Sequence, residues 1–330
     1  MLKYIVKRLL LGLLILFGVS VIIYTLVRLM PADYVDRTYA SKLAQGEIDS
    51  EALARMKALF GLEDNSFKGI LRGYFNWLGK LVRGDLGESF IYKKPVSEAI
   101  FQYMWTSFFV AFVAMFFQFL IAIPLGVTAA THQYSVRDYA VTVFTMIGIS
   151  LPSFFFAAIL IKVFAVDLGW FPIQGAGNAS LTSSSEITYF FDNMHHMVLP
   201  ILTLIVINIG SLMRYTRTNT LEVLSADYIR TARAKGLKES KVIYKHAFRN
   251  TLIPLVTLLA GTLPTLFSGA MITEQVFAIE GVGNMAYKAQ QNGDIPFVMG
   301  YTMFIAILSV IGTLLADLMY AVVDPRVKLQ

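Results

Sequence analysis

Six stretches of this 330-residue chain are apolar for long enough to cross a lipid bilayer, and that excludes most of the folds otherwise open to it. A helix needs about 20 mostly apolar residues to span the hydrocarbon layer. Within that layer every backbone polar group must find its partner inside the protein. The stretches are Leu9–Val27, Phe101–Ala130, Tyr139–Val166, Met197–Met213, Leu252–Thr273 and Ile295–Met319, the fourth being the shortest. They predict an all-α membrane protein with six transmembrane helices. Composition points the same way: 56% of residues are hydrophobic and only 15% charged, too apolar for an ordinary soluble domain. The absence of cysteine excludes disulfides and thiolate metal sites. Lys3, Lys7 and Arg8 precede the first stretch as they would a secretory signal. Its apolar run is longer than a signal core and ends in Arg28-Leu-Met-Pro31 instead of a small-residue cleavage site, so it reads as a retained helix.

Lysine and arginine gather on the side of a membrane protein that faces the cytoplasm. With the N-terminus inside, the inner segments are 1–8, 132–138, 214–250 and 324–330. The third of these alone carries nine of the 28 basic residues. The outer segments 167–196 and 275–294 share only Lys288. Both termini are therefore expected in the cytoplasm, and the net charge of +6 reflects topology, not nucleic-acid binding.

Two parts are expected. Residues 1–100 form one helix followed by an external region. That region holds an amphipathic helix over Ser50–Phe60 and a turn-rich Gly-Asp-Leu-Gly-Glu-Ser at 84–89. Residues 101–330 form a five-span unit with short connections, interrupted by the basic segment 214–250.

That basic segment has internal design. Ser225-Ala-Asp227 suits a helix start, with Asp227 on the positive end of the helix dipole. The helix would run through Tyr228, Thr231, Ala232, Ala234 and Lys235, with Gly236 ending it in a left-handed conformation before Leu237. A second short helix, about 239–250, would follow. Two short helices hinged at a glycine, parallel to the membrane, form a docking surface, and Ala232 and Ala234 leave room for another protein to approach closely. The bland alternative is a solvated loop lying on anionic headgroups.

Several stretches together resemble the oligopeptide/dipeptide permease family of ATP-binding-cassette importers. They are GDLGESF (84–90), IPLGVTAA (123–130), the Gly148–Ser153 run, DYIRTARAKGL (227–237), RNTLIP (249–254), EGVGNM (280–285) and DLMYAVVDPRVK (317–328). One departure from the broader importer pattern is His246-Ala-Phe-Arg-Asn250, where an isoleucine and a leucine-proline pair are the general rule; that variant is itself similar to the peptide subgroup. The resemblance implies a type I importer permease fold, with Asp227–Leu237 coupling the chain to an ATPase. It implies as partners a second homologous permease subunit, two ATPase subunits and an extracytoplasmic solute-binding protein docking on the 31–100 side. No Gly-x-x-x-x-Gly-Lys-Ser/Thr loop occurs, so ATP and Mg²⁺ are expected on the ATPases, with no cofactor, metal or catalytic residue on this chain. Peptides are the expected cargo. Nickel chelates, glutathione-like compounds and oligosaccharides are the alternatives within the class, and a secondary transporter or a receptor-like scaffold the alternatives outside it.

Other residues carry smaller expectations. Gly261, Thr265 and Gly269 recur every four residues, a stripe suited to close helix packing or to lining a pathway. Pro124, Pro152, Pro254 and Pro264 should bend or open their helices. Lys162 should snorkel from the outer end of its span. Glu274 lies near a span end, and Asp317 is expected to pair with a cytoplasmic arginine such as Arg326. His195-His196 reads as an interfacial helix start in preference to a metal site, and Gly281-Val-Gly283 as a tight turn.

Overall fold

The structure is a computed structural model and describes residues 2–28, 43–45, 50–51, 54, 66–175 and 186–323. Most of the expected amphipathic helix at 50–60, and Arg326, lie outside the described residues. The helices are α1 Leu2–Arg28, α2 Phe67–Val82, α3 Val96–Thr131, α4 Val136–Ser150, α5 Ser153–Leu160, α6 Glu186–Ser225, α7 Asp227–Ala234, α8 Glu239–Lys241, α9 Phe248–Ser268, α10 Met271–Val276, α11 Val282–Gln291 and α12 Ile295–Val323. A π-helical stretch, Ile161–Asp167, extends α5, and another, Val242–Ala247, joins α8 to α9. A small antiparallel hairpin, β1 Glu88–Ser89 with β2 Lys94–Pro95, precedes α3.

Five of these helices, or helix runs, are long and apolar enough to cross a membrane, and the pair 136–150 and 153–167 makes a sixth if counted as one bent span. The third stretch is thus not a continuous helix: it turns by 103°. Leu151, before Pro152, is extended at φ −91°, ψ 132°, as the proline ring demands of its neighbour, and Pro152 starts α5. The fourth stretch, the shortest by hydropathy, belongs to the longest helix. Its 40 residues continue through Arg214, Arg217 and Glu222 to Ser225. The expected basic loop is therefore helical for its first third. His195 and His196 lie inside this helix and not at its start. His195 donates from Nε2 to the Trp170 carbonyl (2.9 Å), and His196 donates to that of Asp192 (2.8 Å).

The bundle core joins α3, α6 and α9 through Ala114, Ala122, Ile209, Met213 and Leu255, all buried. Bare backbone makes this closeness possible. A Cβ on Gly126 of α3 would lie 2.6 Å from Thr216 Cβ and 2.8 Å from the Met213 carbonyl of α6. Helices α4 and α6 exchange glycines: one added at Gly148 would strike the Val206 carbonyl, and one at Gly210 the Thr145 carbonyl. On α12, Gly312 receives the ring of Pro264. By contrast, Gly261 makes only an ordinary contact with Ala316 (4.0 Å), and Gly269, at φ 76°, has left the helix. The predicted stripe 261/265/269 is therefore not one continuous packing seam.

Helix α1 docks on α12. A separate core of Ile23, Tyr24, Tyr74, Trp77 and Met303 glues α1, α2 and α12 together, with the hydroxyls of Ser20 and Tyr74 sharing a 2.8 Å hydrogen bond. Asp317 pairs with Arg8 of α1 (3.0 Å), an arginine of the N-terminal segment 309 residues away. At the elbow end of the bundle, Arg217 grips Asp138 with two bonds of 2.8 Å. At the other end Asp294 caps α12 through Phe297 N (3.2 Å). It also accepts from Ser89 Oγ (2.6 Å) and Ile91 N (3.1 Å), pinning the hairpin. Lys162 pairs with Asp167 at the surface.

Replacing Gly210 by leucine is expected to push α4 from α6 and cost ~1–3 kcal/mol. Gly79, which has nothing within 4 Å, is the contrast: alanine there should stabilise α2 by about 0.5–1 kcal/mol. Thermal unfolding of the two variants in detergent should shift in opposite directions.

Candidate docking elbow and intramembrane cleft

Beyond Ser225 the chain turns abruptly. Ala226 is extended (φ −70°, ψ 147°) and takes the helix-start position without a side-chain cap, contrary to the part expected of Ser225. Ser225 instead donates back to the Glu222 carbonyl (2.7 Å), helping to close α6. Helix α7 then runs for eight residues and stops at Gly236. There the Gly236 N–H donates to the Arg233 carbonyl (2.9 Å) and the Leu237 N–H to that of Ala232 (3.5 Å). This pair of bonds is the Schellman closure, which needs a left-handed residue between them. Gly236 supplies it at φ 72°.

The elbow has two faces. Ile229 and Ala232, three residues apart, point inward and form a small core with Val242 and Ala247, against which Val223, Leu224 and Leu237 pack. This core draws on the last turn of α6, on α7 and on the π-helical lead into α9. The predicted second short helix is not separate: 239–250 runs straight into α9. Outside the core, Arg233 donates to Glu239 (2.7 Å), closing the turn like a latch, and Asn250 donates to the Tyr228 hydroxyl (3.0 Å). Both groups of the latch are partly exposed, so it is worth ~0–1 kcal/mol.

The residues expected to meet a partner therefore divide. Ala232 is buried in the elbow's own core, 8% exposed. Asp227, Tyr228, Thr231, Ala234, Lys235 and Gly236 are exposed, and Leu237 is half-buried. Positions 227, 231 and 234 follow helical spacing and share one outward face. Thr231 donates to the Asp227 carbonyl (2.9 Å), and Arg230 stands 3.6 Å from Asp227 across the surface.

Between α3, α6 and α9 lies a cleft of about 570 Å³. Gln118, Asn208, Ser211, Tyr215, Thr262, Thr265 and Ser268 supply its polar lining, and no lining side chain is ionisable as an acid or base other than the Tyr215 phenol. The hydroxyls of Ser211, Thr262 and Thr265 each donate to a carbonyl of their own helix (2.8, 2.8 and 2.6 Å). What those three have left for a solute is lone pairs. Gln118 bridges two walls, donating to the Asn208 carbonyl (3.1 Å). Thr265 and Gly269 of the predicted stripe thus border the cleft, while Gly261 faces α12. The other polar residues carry no charge, and most stand in apolar runs. Their signal was an amide or hydroxyl interrupting an apolar run, as Gln118 and Asn208 do.

One end of the cleft is closed by a polar knot. After Gly269 breaks α9, Glu274 of α10 is buried and its carboxylate receives Ser107 Oγ (2.6 Å), Ala270 N (3.1 Å) and Asn284 N (2.8 Å). Gly281 and Gly283 are glycine because the carboxylate lies where their side chains would start, 2.5 and 3.0 Å away. The tight turn predicted at Gly281–Gly283 is thus a cradle for Glu274. Beside it, Tyr92 donates to the Met285 carbonyl (3.0 Å); burial, aided by the Asp294 carboxylate, pushes its phenol well above the usual range and keeps it a donor.

A family model described as the binding-protein-dependent transport system inner membrane component matches residues 122–329. This chain belongs to that family. It is a multi-pass membrane permease, and the matched region begins within α3 and takes in both the elbow and most of the cleft wall. It is 37% identical over 99% of its length to all of the oligopeptide transport system permease protein AppB of Bacillus subtilis. It is 33% identical, full length to full length, to the di/tripeptide transport system permease protein DppB of Pseudomonas aeruginosa. The oligopeptide permease protein OppB of Haemophilus influenzae is 32% identical over 99% of this chain and 100% of its own. Among solved structures, an inward-facing form of the MetNI methionine ABC transporter shares the fold (TM-score 0.50, 19% identity), covering 68% of this chain and 96% of its own.

Because Ala232 is internal and Ala234 is not, leucine should separate them in the permease alone. Ala232→Leu is expected to overpack the elbow, costing ~1–3 kcal/mol and raising hydrogen exchange across 223–247. Ala234→Leu should leave exchange unchanged.

Proposed function

We propose that this permease forms half of the membrane pathway of an ATP-driven importer of di- and oligopeptides. A second homologous permease supplies the other half. Two ATPase subunits, which carry the ATP and Mg²⁺, seat the outward face of α7. An extracytoplasmic solute-binding protein delivers the peptide at the opposite end. In this reading the elbow and both termini are cytoplasmic, as the concentration of basic residues in 214–250 favours, and the chain itself catalyses nothing.

The observation that carries the reading is the physical continuity of elbow and cleft. Helix α6, whose last turn packs on the elbow core, and α9, whose π-helical lead gives Val242 and Ala247 to that core, also wall the cleft. ATPase closure against α7 would move both walls together, switching the cleft from one side of the membrane to the other. The cleft's neutral hydroxyl and amide lining suits a cargo of variable side chains and constant backbone, because lone pairs and amides meet peptide N–H and C=O groups without selecting for charge. The full-length similarity to permeases named for oligopeptides and di/tripeptides supports that cargo.

The test is uptake of labelled peptide by vesicles holding the permease pair, ATPases and binding protein. Uptake should require ATP. Ala234→Trp should weaken ATPase association by about tenfold or more, as a blocked contact at the centre of an interface does, without unfolding the permease. ATP-independent uptake by the permease alone would instead indicate a secondary transporter.

A further inference from the structure

A second cleft, of about 340 Å³, opens between α4 and α6 at the elbow end of the bundle. It runs along α6 from Gly210 to Arg217, roughly 10 Å of helix. Its inner wall is apolar, with Met146, Ile149 and Met213, and its mouth holds Tyr134, Tyr139 and two arginines. Those arginines are not equivalent. Arg217 is neutralised by Asp138 through two 2.8 Å bonds, and the Tyr134 N–H takes up the carboxylate further (3.0 Å). Arg214, one turn deeper towards the bundle, is exposed and has no ion pair or hydrogen bond among the described residues. The cleft mouth therefore keeps one uncompensated positive charge.

The surroundings indicate what covers the cleft. Val143, Phe144 and Ile147 stand more than half exposed along the same helix, a surface that only hydrocarbon solvates well. Tyr134 and Tyr139 are 74% and 61% exposed, at the end of that apolar face where aromatic rings favour headgroup depth. A cationic pocket between membrane helices, apolar inside and aromatic at its rim, matches an anionic phospholipid. We infer that this cleft is a binding site for one anionic phospholipid of the leaflet at the elbow end. The headgroup phosphate meets Arg214 between the two tyrosines, and an acyl chain lies against Met146 and Ile149. The Asp138–Arg217 pair acts as a fixed wall that leaves Arg214 as the recognising cation. A bound lipid would wedge α4 against α6 next to the Gly148 and Gly210 contacts, so its presence should steady the helix that leads into the elbow.

The experiment uses the full-length permease in nanodiscs of equal parts phosphatidylglycerol and phosphatidylcholine, with retained lipid counted by native mass spectrometry. The wild type should retain phosphatidylglycerol preferentially. Arg214→Gln should reduce that preference by roughly fivefold, the factor one cation near an anionic surface supplies. Arg214→Lys should keep most of it, and the exposed Lys241→Gln should change nothing. Equal retention of the two lipids by the wild type, or an unchanged preference in Arg214→Gln, would overturn the site. So would a photo-cross-link into the partner permease of the assembled transporter from a benzoylphenylalanine placed at position 139, since the cleft would then be filled by protein. Arg214 holds no partner that its loss would orphan, so a folded variant is expected, and its thermal unfolding checks this.

Discussion

A peptide group stranded in hydrocarbon has no water to bond, and that penalty governs the helix breaks at Pro152 and Gly269. The breaks are few, and each is repaired locally. At residue 152 the chain bends at a proline that has no N–H to strand. At Gly269 the freed Ala270 N–H goes to Glu274, whose remaining lone pairs are filled by Ser107 and Asn284. At Gly236 the Schellman pair returns two amides to α7. Glu274 thus belongs to the fold's own hydrogen-bond account, and its burial follows from the helix break beside it, without any solute.

The same penalty explains the packing. Helices whose backbones are already satisfied can gain from one another only by close contact and dispersion, since lipid tails are as apolar as leucine. Glycine at 126, 148, 210 and 312 lets carbonyls and rings of neighbouring helices fill the space a side chain would take. Charge then fixes register at the bundle's ends, through Arg8–Asp317, Asp138–Arg217 and Asp294 with the hairpin.

Much of this was readable in advance, and the failures have physical causes. Apolar run length located five crossings and the bent pair that makes a sixth if counted as one span, because the cost of burying charge in lipid is large and local. It underestimated α6, since polar residues past Met213 continue the helix once they leave the hydrocarbon, and hydropathy records depth, not helicity. Gly236 was legible because a positive φ is a backbone property with one cheap solution. Ala232, expected beside a partner, packs into the elbow's core: smallness signals close approach without saying to whom, and here the neighbours are Val242 and Ala247. The stripe 261/265/269 divides for a related reason: a four-residue period presumes a helix that Gly269 ends, and only Thr265 and Gly269 border the cleft. Arg8 as the partner of Asp317 joins the two ends of the chain, and no local pattern carries such a pairing.

The 40 residues of α6 form one helical rod about 60 Å long, and its single proline, Pro200, lies beyond the cleft as seen from the elbow. Its elbow end is fastened to α7 by the Ile229 core, and its cleft residues, 204 to 215, lie some 15–30 Å up the shaft. A rod of this kind transmits angle and not just displacement: a tilt imposed at the foot arrives at the cleft magnified in proportion to distance. The lead into α9 is joined to the same foot, but through a π-helical stretch and with two prolines along its length. One wall of the cleft is therefore stiff and the other compliant, and a single torque at the elbow deforms the two walls unequally. The cleft would change shape, and not merely position, with each stroke.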